Sequence, residues 1–301
     1  MSSGAEAFAS ISLDALPKPA IVEGLDVEAI IAARKARLTE LMPELAPVLA
    51  LESEPLTKLI EASAYREILL RQRYNEEALA LTLAFATGLD LDHIGLTYYQ
   101  EPRLVITPAT GTTPQVLETD AAYRRRLQLK PASWSTAGPR DAYLFHTLSA
   151  HSDILDAGVS TPHPGTSIVA VLGRAESGEP DPAALLAVQA RLNDLEVRPL
   201  CEEVIIQAAE VKLYAAHVRV WTYPGADITT KTAEAKAAIQ GLVNSRYAVG
   251  MDVNRSAIAA AAHVSGIQRV DVIEPVQDVV CDDTQVARCT WVDVAWEASA
   301  T

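Results

Sequence analysis

The chain has 301 residues, of which 49% are hydrophobic, and sets 25 Lys and Arg against 39 Asp and Glu for a formal net charge of -14. That length accommodates two or three domains with a substantial core. Such an acid excess argues against a nucleic-acid binder, which needs clustered cations, and no stretch nears the roughly 18 uncharged apolar residues of a membrane span.

Cys201, Cys281 and Cys289 lack the close paired spacing of a zinc ribbon and are an odd number for a disulfide framework, which fits a reducing cytoplasm. The first 24 residues have neither a basic region nor a continuous apolar one, so they do not read as a signal peptide. Synthesis in a cytoplasm follows, with retention there until something releases the protein.

Residues 1–25, with Pro17 and Pro19, read as an extended arm that frays or wraps a neighbour. Asp26 then caps a helix carrying Ile30, Ala33, Arg34, Arg37, Leu38 and Leu41 on helical repeats, and the helix stops before Pro43. From Pro55 to residue 86 there is no internal Gly or Pro, and Pro55 suits the first helical turn, so the sequence predicts one helix of roughly 48 Å. Leu56, Leu59 and Ile60 mark one end of it, and Ala78, Leu81 and Phe85 the other. Its waist is crowded with Arg66, Glu67, Arg71, Arg73, Glu76 and Glu77. Apolar ends with a charged waist suit bundling with helices of other subunits; a solvated surface helix is the alternative. A short helix over about 90–98 follows, with Asp90 as its N-cap after Gly88.

The Pro, Thr and Gly-rich stretch after Glu101 reads as a connector. Next come a helix near 120–129 and another opening at Gly138 with Pro139 at its first position. The cluster Arg124, Arg125 and Arg126 points three ways on a helix and reads as a solvated face. Two strands, 154–161 and 166–173, are joined by a turn at 162–165, and the second is apolar on both faces, which places it inside its sheet. Asp181 and Pro182 open a helix with Leu185, Val188, Leu192 and Leu195 on one face. A further pair of strands, 202–211 and 212–225, leads into helices at about 228–247 and after Asn254. Strands around Ile267 to Val272 and 288–296 finish the chain. The run helix, Gly, strand occurs at 141–161 and recurs at 255–275. The fold class is therefore α+β: a helical N-terminal region followed by two small α+β units, with domains expected at 1–100, 101–207 and 208–301.

Chemistry finds little support. Asp90 and Asp92 sit about 200° apart on a helix and do not converge with His93 on one ion. His146 and His151 have a poor spacing for ligands on a helix, and His163 lies in a proline turn. His263 with Cys281 and Cys289 lacks a fourth zinc ligand. No nucleophile elbow, phosphate loop or dinucleotide fingerprint is present, so the sequence predicts no enzyme, cofactor or metal. Paired carboxylates, as in a virion-associated hydrolase, stay open because their separation is a property of the fold.

Several segments, in order, resemble the baseplate J-like family of contractile bacteriophage tails. They are LDVEAIIAARKARL at 25–38, LESEPLTKLIEASAYRE at 51–67, GLDLDHIG at 88–95, ETDAAYRRRLQL at 118–129, STAGPRDAYLFH at 135–146, VSTPHPGTSIVAVLGR at 159–174, LEVRPLCEEVIIQ at 195–207, and SGIQRVDVIEP at 265–275. The resemblance implies a non-catalytic structural protein of the baseplate wedge, located in the virion. Its N-terminal helices would bundle with a second wedge protein and another copy of the chain. Its α+β parts would link wedges into a ring near hub or spike and sheath proteins, and the whole would relay the trigger for sheath contraction. Segments 25–38 and 51–95 are assigned to wedge-core packing, through Leu56, Leu59, Ile60, Arg66, Glu67, Arg71, Leu81 and Phe85. Segments 138–174 and 214–275 are assigned to ring contacts. An adaptor of a tail-derived bacteriocin or secretion system fits the same resemblance. The loop at Trp134, exposed by its flanking serines, and residues 281–288 match no motif of the family.

Overall fold

The computed structural model describes residues 13, 16–135, 138–199, 201–225 and 227–297. They fall into two compact units, one running to Arg103 and the other starting at Leu104. The chain is α+β, with helices first and small sheets later.

In the first unit, α1 (Val27–Leu41) begins where Asp26 accepts a hydrogen bond from the Ala29 N–H at 3.1 Å and ends at Met42, before Pro43. A 3-10 turn (Pro43–Leu45) and α2 (Ala46–Leu49) lead to α3 (Pro55–Ala80) and α4 (Gly88–Ile94). α3 is shorter than the expected helix, 26 residues or about 39 Å. It stops because both the N–H and the hydroxyl of Thr82 donate to the Leu79 carbonyl, at 3.0 and 2.8 Å, which tightens the last turn and satisfies it locally. Phe85 therefore lies in the turn after the helix. The N-cap of α4 is Thr87; Asp90 sits inside the first turn, where its carboxylate complements the helix's positive end. α4 runs into a π-helical turn, Gly95–Tyr99. Of the expected arm, Glu23 is tied to α3: its N–H donates to Asn75 Oδ1 at 3.0 Å and its carbonyl accepts from Asn75 Nδ2 at 2.9 Å. Residues 1–12 and 14–15 of that arm lie outside the described residues.

The second unit opens on two short antiparallel strands, β1 (Val105–Thr107) and β2 (Val116–Leu117), within the stretch read as a connector. α5 (Asp120–Leu129) follows, capped by Thr119. Of the arginine run on it, Arg126 departs from the solvated face expected, while Arg125 is exposed and Arg124 half-buried. Arg126 is 1% exposed and donates through Nε and Nη2 to the buried Glu118 at 3.2 and 2.9 Å, while Arg125 pairs with the buried Asp156 at 2.8 Å. Buried Glu118 draws Arg126 inside, since a buried charge needs a partner, while Arg125 stays 45% exposed and reaches Asp156 from the surface. Trp134 closes a 3-10 turn (Lys130–Trp134) and is 66% exposed.

α6 (Arg140–Ala150) has Pro139 as its cap rather than its first helical residue. β3 (Ile154–His163) and β4 (Thr166–Gly173) form a hairpin whose turn needs the φ of +83° that Gly165 supplies. α7 (Pro182–Leu192), capped by Asp181, returns the chain to β5 (Glu203–Ala208). β4 lies inside the sheet as expected, antiparallel to β3 and parallel to β5. Val188 and Leu192 are fully buried against α6 and this sheet, whereas Leu195, past the end of α7, is 84% exposed.

β6 (Glu210–Thr222) does not pair with β5. The chain crosses at Ala209 to a second sheet of order β7-β6-β8, built with α8 (Ile228–Arg246), α9 (Arg255–Ala262), β7 (Ile267–Glu274) and β8 (Gln285–Trp296). Both sheets put a central strand between one antiparallel and one parallel neighbour, and in both the repeated helix–strand run, α6–β3 or α9–β7, supplies the antiparallel edge. The sheets share an apolar seam of Ala170, Leu172, Ala209 and Val286, reinforced by the Val249 N–H donating to Asp156 Oδ2 at 2.8 Å and by the Arg140–Asp283 ion pair at 2.7 Å.

Candidate functional site

The two sides of α3 differ in what they meet. One side packs within its own unit: Thr57 and Ala64 are fully buried and Ile60 is 6% exposed. A charged strip continues that side. Glu67 accepts from Arg34 of α1 and from Arg71, and Arg71 pairs in turn with Glu23 at 2.9 Å. The Arg34 guanidinium first, and then Arg71, hold the Glu67 carboxyl below its ordinary value. Ser63 also accepts a hydrogen bond from Arg34, so α1 is fastened to α3 along two turns.

A second line, about 100° round the helix from the packed side, is open and mixes leucines with charged residues. Leu59 is 66% exposed, Leu70 42% and Leu81, the residue that ends the helix, 80%. These three are eleven residues apart, which at 3.6 residues per turn returns each to within about 20° of the last, so they form one line along the rod. Tyr74, 64% exposed, flanks the line, and Arg66, Arg73 and Glu77 fall along it; Arg73 and Glu77 are joined at 2.7 Å.

Of the residues singled out in the sequence, Leu59, Arg66 and Leu81 thus face outward. Ile60, Glu67 and Arg71 face the unit's own chain, and Leu56 and Phe85 are half-buried. Leu70 and Tyr74 were not singled out, although the even spacing of leucines at 59, 70 and 81 is a signal the sequence contains.

Asp92 accepts from Arg103 Nε at 2.7 Å, and among the described residues no three His, Cys, Asp or Glu side chains converge as metal ligands. Burial pushes the thiols of Cys281 and Cys289 up.

Family models match most of this architecture: the Baseplate J-like N-terminal domain over residues 52–110, the Baseplate J-like central domain over 135–208, and the Baseplate J-like protein C-terminal domain over 214–295. A relative described as "Baseplate protein J", of Escherichia phage P2, is 41% identical over 289 residues, covering 93% of this chain and 95% of that protein. The chain belongs to the baseplate J-like family. The family's N-terminal match includes all of α3, so the open leucine line lies within it; the central match holds the first three-stranded sheet and the C-terminal match most of the second.

Proposed function

We propose that this chain is a structural component of a phage tail baseplate, acting in the wedge and located in the virion. Family membership and the relative from phage P2 support the baseplate role. The observation that carries the wedge role is the open line of Leu59, Leu70 and Leu81 on a helix whose packed side, about 100° away, is already fastened to α1. Exposed leucines in a row mark a surface finished by another chain. A second wedge protein or another copy of this chain lays a helix there, while Ile60, Glu67 and Arg71 hold α3 rigid. The segments 138–174 and 214–275 serve ring contacts near hub or spike and sheath, and exchange of those contacts relays the trigger for contraction.

The test is co-expression with a candidate wedge partner followed by mass measurement of the complex. A defined assembly containing two copies of this chain is expected. Leu59→Asp should weaken partner binding by more than tenfold in affinity while leaving the circular dichroism spectrum unchanged, because the side chain already lies in water. A variant that still assembles normally removes α3 from the interface.

A further inference from the structure

The unit beginning at Leu104 holds a cavity of about 380 Å³ between the loop after β4, the last turns of α8 and the first half of β8. Its polar lining is Arg174, Glu176, Gln240, Asn244, Tyr247 and Arg288. Small-molecule sites span roughly 300–1,000 Å³, so the space suffices for one. In a chain of net charge -14, a cavity whose arginines outnumber its carboxylates two to one is out of character.

The hydrogen-bonding groups left unengaged there are mostly donors. Arg174 gives Nε to the Ser152 carbonyl at 2.7 Å and has no carboxylate partner among the described residues, so its terminal nitrogens remain available. Gln240 Nε2 donates to Asn244 Oδ1 at 3.0 Å, which leaves Asn244 Nδ2 as a donor. The Tyr247 hydroxyl has no hydrogen-bond partner among the described residues; burial pushes it up and the Arg288 guanidinium opposes that push, so the two lie near each other. Arg288 itself is withdrawn from water, its side chain 26% exposed, yet its carboxylate partner Glu176, at 3.2 Å, is 96% exposed. A pair with one member standing in water is weak and readily exchanged.

Two cations and two neutral donors around one space select a negatively charged guest rich in acceptors, and guanidinium groups match the paired oxygens of carboxylate and phosphate. Val243 and the Tyr247 ring supply apolar wall, which suits an organic body rather than a bare ion. Glu176 marks, at the rim, where an anionic oxygen meets Arg288. We propose that this cavity binds a small organic dianion, a dicarboxylate or a sugar phosphate, with Arg288 and Arg174 holding its anionic oxygens and Glu176 swinging aside as it enters. The site lies apart from α3 and does not rest on the wedge packing proposed above.

Isothermal titration calorimetry of the full chain at low ionic strength, with succinate and glucose 6-phosphate as probes and glucose as the uncharged control, tests it. The expected result is that at least one dianion binds with a Kd below about 1 mM while glucose does not, and the tighter of the two tells carboxylate from phosphate. Arg288→Gln and Arg174→Gln should each weaken that binding by about tenfold or more with unchanged far-ultraviolet circular dichroism. Glu176→Gln removes the competing carboxylate and should tighten it by about threefold, whereas Glu179→Gln, an exposed position outside the lining with the same charge change, should not. A wild-type chain that binds neither dianion, or affinities equal in wild type and both arginine variants, overturns the proposal. So does a chain that binds neither dianion but loses its wedge partner in Arg288→Gln, since the arginines then serve a protein contact. Failure of the α3 reading shows instead as normal partner assembly in Leu59→Asp.

Discussion

Glu118 and Arg126 form an ion pair whose side chains are 4% and 1% exposed. Removing one partner strands the other in a medium that cannot solvate it, so Glu118→Ala should lower stability by about 3–5 kcal/mol, read from urea unfolding. A well-packed apolar replacement of both should cost far less. At Ile60 the cost is of the same kind: Ile60→Asp places a carboxylate at a position 6% exposed and should destabilise the helical unit by about 3 kcal/mol or more, whereas Leu59→Asp should not. Glu67 makes the fastening of α1 to α3 sensitive to acid. Its carboxyl is lowered from 4.5 by Arg34 and Arg71, so its contribution is complete above pH 4.5 and is lost as pH falls through the depressed folded value. Urea midpoints measured on the acid side should therefore fall more steeply for the wild type than for Glu67→Gln.

The elements show how little slack the fold leaves at its seams. A Cβ on Gly158 of β3 would lie 2.0 Å from the Asp283 carbonyl oxygen and 2.5 Å from Val249 Cγ1. Gly158→Ala should therefore wedge the two sheets apart at one point and lower stability by about 1–3 kcal/mol, measured by thermal unfolding. α3 makes the opposite use of its residues. Its leucines recur every eleven positions and turn by about 20° per step, slower per residue than the drift of a seven-residue repeat and of opposite hand. In the wedge packing proposed, a helix already fastened along one side would offer its partner a fixed target, which reduces the ordering entropy lost on binding.

At the scale of the molecule, the acid excess keeps a chain with open apolar surfaces soluble before assembly. The unit beginning at Leu104 contains its own buried clusters around both sheets, and a fragment of residues 104–301 should fold alone, retaining cooperative thermal unfolding. The sequence by itself determined the α+β class, the caps at Asp26 and Asp181, the central place of β4 and the family, because periodicity, capping and motif order are local properties of the chain. Only the tertiary structure decided that Arg126 is buried on Glu118, that β5 and β6 join different sheets, and which side of α3 stays open. None of these follows from local pattern: Glu118 lies only eight residues from Arg126, yet an arginine on a helix is compatible with water or with a buried carboxylate, and an alternating strand pairs with whichever edge packing brings beside it.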